Sequence, residues 1–155
     1  MEITIRKAKK ADAKSIAELH KKVVREVNSE FYSPEAIKEW IKDISETNVI
    51  YQLHNSDWIV AVEDDKLVGF GQYSVIDGEI YQINVEPNFL KQKIGKSLYD
   101  YMEDKFKIAG KEKIFLNATL NAVGFYQRLG FVRKGKNAIG LVNMIKMEKS
   151  LRDSQ

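Results

Sequence analysis

The stretch from Gly78 to Leu98, GEIYQINVEPNFLKQKIGKSL, constrains the chain more than any other. Ile80 to Val85 reads as a strand that ends at Glu86-Pro87. Asn88 to Gln92 is a short loop without an acid. A helix begins near Ile94-Gly95, and Lys91, Lys93 and Lys96 crowd the turn. A strand running into a helix start presents unpartnered backbone N–H groups at the positive end of the helix dipole. Such a junction accepts an anion, phosphate above all. Three readings stay open on these residues alone. The first is an ordinary solvated basic loop. The second is a P-loop, because Gly95-Lys96-Ser97 matches the end of GxxxxGK[ST]; Leu90 stands where the first glycine belongs, so the backbone cradle lacks its turn. The third needs the rest of the chain.

At 155 residues the chain suits one domain, 1–150, followed by a short tail, 151–155, expected to fray. Apolar residues make up 44% and charged residues 30%, which is globular rather than disordered. With 25 basic against 22 acidic residues the net charge is only +3, so a nucleic-acid partner has little support. The absence of cysteine excludes disulfides, thiolate metal sites and a cysteine nucleophile. Two histidines are too few for a histidine-rich metal site, and no metal is expected. The first ten residues lack an apolar core, and no run reaches the length of a membrane span. The expectation is a cytoplasmic protein without a membrane partner.

Glu2 to Arg6 alternates as a first strand. The apolar stripe Ile16, Leu19, Val23, Val24 and Val27 marks a helix starting near Asp12. His20 lies beside that stripe and reads as a histidine on the core rather than a catalytic one. Asn28 to Tyr32 is a loop. Ser33-Pro34-Glu35 then opens a second helix, with Ser33 as N-cap, Pro34 in the first turn, and Ile37, Trp40, Ile41 and Ile44 inward. Thr47 to Asn55 is ambiguous. Trp58 to Val62 and Leu67 to Ile76 are strands joined by a turn at Glu63 to Lys66, and Gly69 and Gly71 imply a bulge or a close neighbour. Asp77-Gly78 is a tight turn into the Ile80 strand, which completes a meander. The following helix, about Lys93 to Ala109, turns Ile94, Leu98, Tyr101, Met102 and Phe106 inward and stops at Gly110. Ile114 to Ala118 is a buried strand, Ala122 to Leu129 a short helix. Phe131 to Lys136 and Leu141 to Lys149 are the last strands, joined by Asn137 to Gly140. The fold class is α+β: a mixed, mostly antiparallel seven-stranded sheet with about four helices on both faces.

This order, with three local segments, resembles the GNAT superfamily of acyl-CoA-dependent N-acetyltransferases. The first segment is Gly78 to Gly95, similar to that family's fourth strand, pyrophosphate loop and following helix. The second is Ala122-Val123-Gly124-Phe125-Tyr126-Gln127-Arg128-Leu129-Gly130-Phe131, similar to the family's A-x-x-FY-x-x-LGF helix. The third is the closing strand, Met144 to Lys149. The family loop usually reads Gln/Arg-x-x-Gly-x-Gly/Ala. Here Leu90 fills its first slot and Lys93 its first glycine slot, and Gly95 alone remains. A side chain at 93 is compatible with the loop if that residue has helical φ/ψ.

The resemblance implies acetyl-CoA as co-substrate. Its arm would lie along Ile83, Asn84 and Val85, and its pyrophosphate over Leu90, Lys91, Gln92, Lys93, Ile94, Gly95, Lys96 and Ser97. Asn117, Asn121 and Phe125 would border the arm. Tyr126 matches the general acid to the leaving thiolate, and Glu79 matches the general base of the histone-acetylating branch. Glu79 also reads as a plain hairpin carboxylate, Tyr126 as a core aromatic, and a water chain can replace a single base. Glu26, Glu30 and Tyr32 are the candidates for selecting a cationic amine. The implied reaction is direct transfer to a primary amine, small molecule or peptide, in a ternary complex. The alternative is a catalytically idle acyl-CoA-binding sensor on the same fold. A homodimer through the late strands is an expectation by analogy.

Overall fold

The computed structural model describes residues 2–152, without the side chains of Leu90, Lys91 and Gln92. Seven strands form one sheet in the order β1-β2-β3-β4-β5-β7-β6. They are β1 (Thr4–Lys7), β2 (Asp57–Glu63), β3 (Lys66–Ser74), β4 (Glu79–Val85), β5 (Lys113–Thr119), β6 (Val132–Ile139) and β7 (Val142–Ser150). Every pair is antiparallel except β4 with β5. Five α-helices accompany them: α1 (Ala13–Glu26), α2 (Pro34–Lys42), α3 (Glu46–Gln52), α4 (Ile94–Ile108) and α5 (Val123–Arg128). This is the expected mixed sheet, with one helix more than the sequence pattern discloses.

The period-two pattern of β2 builds two cores at once. Ile59 and Ala61 face α4 and join Leu98, Met102 and Phe106. Trp58 and Val60 face the other way and join Ile16, Leu19, Val23 and Val24 of α1. Gly71 is small because α4 comes close: a Cβ there would fall 2.1 Å from Met102 Cε. The sheet is therefore a partition between a dense α4 side and an α1 side roofed by α1, α2 and α3.

Several expectations change in detail. The ambiguous segment is α3, started by Ser45, whose Oγ accepts from Asn48 N at 3.1 Å. Ser33 caps α2 as expected, accepting from Ala36 N. In α4 the fully buried tyrosine is Tyr99, 1% exposed, and not Tyr101, which is only partly covered. The turn before β4 spans residues 75–78 rather than two residues, with Gly78 at φ +69°. Residues 88–92 belong to a 3-10 turn, Pro87–Gln92. The last hairpin turns at Gly140-Leu141, since Ile139 pairs with Val142. The start of the tail is tied down: Leu151 N donates to Glu112 O at 2.8 Å. Residues 153–155 lie outside the described residues.

Candidate active site

The site begins where a ladder stops. β4 pairs with β3 along its length, but Gln72 and Tyr73 sit opposite Gln82 and Ile80, so Tyr81 is an extra residue. A bulge of this kind bends the strand and sharpens its twist. On its other edge β4 pairs with β5 only at Glu79–Phe115 and Ile80–Leu116. From there β5 stays with β7, register by register to Thr119–Met144, while β4 departs. A wedge opens between two neighbouring strands, and Ile83, Asn84 and Val85 line one side with a backbone edge not paired to β5.

The wide end of that wedge meets the start of α4. Glu86, 6% exposed, ends the strand and is held by Lys22 Nζ of α1 at 2.5 Å. Lys93 is the N-cap of α4 at φ 59°, ψ 21°, in the left-handed region, and none of the described side chains caps the helix. The expectation of helical φ/ψ at Lys93 therefore fails for a right-handed helix. The backbone takes the turn that a glycine adopts freely, at a cost of about 1 kcal/mol for a residue with a Cβ. The uncapped first turn leaves the N–H groups of α4 free for an anion. Of the expected cations, Lys93 is exposed and Lys96 is shared with Asp100 at 2.8 Å. The side chains of Leu90, Lys91 and Gln92, also assigned to this loop, lie outside the described residues. Ser97 Oγ donates back to Lys93 O at 3.2 Å. Gly95 allows a close approach, since a Cβ there would fall 3.2 Å from the ring of Phe125, which would have to shift by a few tenths of an ångström. Ile94 is buried beneath them.

The far side of the wedge carries β5 and α5. Asn117 hydrogen-bonds Asn137 at 3.2 Å, and Asn121 hydrogen-bonds the buried Asn28 at 2.7 Å. Tyr126, 5% exposed, is clasped edge-on by Phe125 and Phe131 at 5.1 and 5.6 Å. Burial pushes its phenol well above the ordinary tyrosine range. It is therefore a hydrogen-bond donor at any neutral pH. Glu79 sits at the closed end of the wedge, where burial, and then Asp77, raise its pKa, while Lys146 lowers it.

A cavity of about 500 Å³ lies on the α1 side of the sheet. Its floor is Trp58, Gln72 and Gln82, one each from β2, β3 and β4. Met144 and Val142 of β7 form its opposite wall, so its sides stand on both flanks of the wedge. The floor is held by a chain of carboxamides: Asn84 to Gln82 at 2.8 Å, Gln82 to Gln72 at 2.9 Å, and Gln72 to Ser56 at 3.0 Å. Glu79 shares this face of the sheet but does not line the cavity.

The residues expected to select the acceptor do not line it either. Glu26 and Glu30 are exposed on the far end of α1 and the turn after it. Tyr32 is engaged: its hydroxyl donates to Asn143 O and accepts from Leu120 N at 3.0 Å. It straps the α1–α2 connection to β5 and β7. Sequence reasoning missed His20, Trp40, Asp43, Gln72 and Gln82, all of which line the cavity. Their positions in the chain are unrelated; only the fold assembles them.

Comparison with known proteins agrees with this geometry. The acetyltransferase (GNAT) domain family matches residues 28–151. Among solved structures, a GCN5-related N-acetyltransferase from Rhodopseudomonas palustris is similar at TM-score 0.90 and 22% identity, over 97% of both chains. PaiA N-acetyltransferase from Thermoplasma acidophilum, solved with coenzyme A, is 26% identical at TM-score 0.81, over 97% of this chain and 99% of that one. YncA from Salmonella typhimurium, solved with acetyl-CoA, is 17% identical at TM-score 0.72, over 98% of this chain and 95% of that one. No curated protein sequence is significantly similar. The chain belongs to the GNAT family of acetyltransferases.

Proposed function

We propose that the protein transfers an acetyl group from acetyl-CoA to a primary amine, directly and within a ternary complex. One observation carries the reading: the β4–β5 ladder ends after two pairs, and the cavity spans the wedge that results. The residues suit acetyl-CoA. An amide-bearing arm finds a free strand edge at Ile83 to Val85, and a pyrophosphate finds the uncapped N–H groups of Ile94, Gly95 and Lys96 with Lys93 beside them. Bound there, acetyl-CoA would supply an activated acetyl group to the wedge.

The chain's own groups then have three tasks. The cavity holds the amine on the α1 side and in line with the acetyl carbon. Glu79, its pKa raised, takes the proton of the amine, directly or through water across the gap to the cavity. Tyr126 offers its hydroxyl proton to the sulfur. The acceptor nitrogen bonds to the carbonyl carbon, the carbon–sulfur bond breaks, and the sulfur leaves as a thiol. The net change is amine plus thioester to amide plus thiol.

A second reading, acyl-CoA binding without turnover, draws on the loop, which keeps only Gly95 of its glycines. Free-thiol release from acetyl-CoA over a panel of amines separates the two. Turnover on at least one primary amine is the expected result. Binding of acetyl-CoA with no turnover on any amine would favour the sensor.

A further inference from the structure

Tyr126 is placed without the help of its own hydroxyl. Among the described residues no group hydrogen-bonds that oxygen, and the side chain is held by ring contacts and by the end of α5. The Tyr126 carbonyl accepts from Leu129 N and Phe131 N, at 3.1 and 3.0 Å, so the residue anchors the turn that stops the helix. Gly130 makes that turn at φ +102°. Phe131 follows, 2% exposed, with its ring edge-on to Tyr126 at 5.6 Å and edge-on to Tyr99 at 5.9 Å.

A polar triangle holds Tyr99. This tyrosine and Glu103 lie one turn apart on α4, and the Tyr99 hydroxyl donates to Glu103 Oε1 at 3.3 Å. Lys149, near the end of β7, donates to the Tyr99 hydroxyl at 3.0 Å and pairs with Glu103 Oε1 at 2.9 Å. The side chains of Lys149 and Glu103 are only 20% and 18% exposed. Exposed ion pairs contribute little, because water screens them. A pair shielded from water and closed into a ring of three partners is rigid and costly to open. Lys107 also approaches Glu103, at 4.0 Å, so the carboxylate would keep a cation if Lys149 were replaced.

The same lysine touches the stop of α5. A Cβ on Gly130 would fall 3.3 Å from Lys149 Cε, so the stem packs directly against the left-handed residue. Lys149 therefore meets α4 through its ammonium group and the turn after α5 through its methylenes. Both contacts bear on Phe131, one through Tyr99 and the other through the residue before it in the chain.

We propose that Lys149 is a positioning residue for the transfer reaction: through Glu103, Tyr99 and Gly130 it fixes Phe131, and so fixes where the Tyr126 hydroxyl stands. The proposal rests on the reading of Tyr126 as the acid to the leaving sulfur.

The test combines Lys149→Met with Tyr126→Phe in thiol release at saturating acetyl-CoA and amine. Lys149→Met is expected to lower kcat about tenfold, in keeping with a sub-ångström misplacement, and to leave acetyl-CoA affinity unchanged in calorimetry. In the Tyr126→Phe background the same replacement should change kcat little, because no hydroxyl is left to misplace. Lys149→Arg, which keeps the cation, should restore most of the rate. Tyr99→Phe keeps the ion pair and should show the same dependence on background, which covers the case that Lys149→Met does not fold. A second readout needs no turnover. In NMR spectra of ¹³C-tyrosine-labelled protein, the ring signals missing from Tyr126→Phe belong to Tyr126. Lys149→Met is expected to shift them and to leave those of Tyr51, on α3, in place. An equal fractional loss of kcat in both backgrounds, or Tyr126 signals that stay in place, overturns the proposal and leaves the acetyltransferase reading standing. Full turnover by Tyr126→Phe removes the reading on which it rests.

Discussion

The two edges of β4 are built from the same seven residues and do different work. Towards β3 the strand is paired from Glu79 to Val85, with one bulge. Towards β5 it is paired at two positions and then parts from its neighbour. A paired edge is scaffold, because its donors and acceptors are already satisfied. An unpaired edge in the middle of a sheet leaves backbone groups that need partners. An extended molecule with amides of its own can supply them, much as a peptide adds to a sheet edge. On the proposed reading the chemistry belongs to the gap, while the fully buried side chains of α4 make its side of the sheet the scaffold.

The largest effect expected on the open edge is catalytic. Tyr126→Phe should lower kcat by about 100-fold or more and change acetyl-CoA affinity little, as thiol release and titration calorimetry would show. Full turnover by this variant would remove Tyr126 from the reaction. Glu79→Gln should flatten the acid limb of the pH–rate profile, a limb lying above the ordinary carboxylate range because burial raises the pKa. An unchanged profile would remove Glu79.

The closed edge should respond in stability. Leu98 is fully buried between α4 and the sheet, and Leu98→Ala should cost about 2–5 kcal/mol in denaturant unfolding. Gln82→Ala on the cavity floor should cost about 1 kcal/mol and act mainly on the KM for the amine. Comparable stability losses in the two variants would erase the distinction between scaffold and gap.

His20 gives a pH-dependent version of the same contrast. Its folded pKa, about 4, lies below the unfolded value near 6.5, so the unfolded state binds more protons between them. Stability should rise with pH across that window, by about 3 kcal/mol in all. His20→Gln should flatten this rise in unfolding experiments from pH 4 to 7. A rise of equal size in the variant would place the titration elsewhere.

The smallest effect concerns the loop. Lys93→Gly should relieve the left-handed backbone at φ 59°, less the added freedom of the unfolded chain. A net gain of about 0.5–1 kcal/mol in thermal unfolding is expected. A loss of stability would mean that residue 93 has another conformation.

The sequence already disclosed the frame. The alternation in β2, the Ser33-Pro34 cap and the Gly-bounded helix from Ala122 to Leu129 are local signals, and each produced its element. The junction at Glu86 to Ile94 was legible for the same reason. The cavity was not, because α1, α2, three central strands and β7 contribute to it from distant parts of the chain. His20 read as a core residue since its neighbours on the helix are apolar, and nothing local shows that its ring opens onto a space. Tyr32 read as a selector, and its hydroxyl turned out to be committed to Asn143 and Leu120. The backbone of Lys93 is likewise invisible in composition, since the left-handed turn belongs to the loop and not to the lysine.

The measurement that bears most directly on the central claim is isothermal titration of the purified protein with acetyl-CoA, with ATP as the control. A wedge edged by Ile83 to Val85 and ending at the uncapped start of α4 predicts binding of acetyl-CoA at micromolar concentration and none of ATP. No heat with acetyl-CoA would contradict the account, because the loop bearing Leu90 and Lys93 would then have lost the ligand for which the gap is shaped.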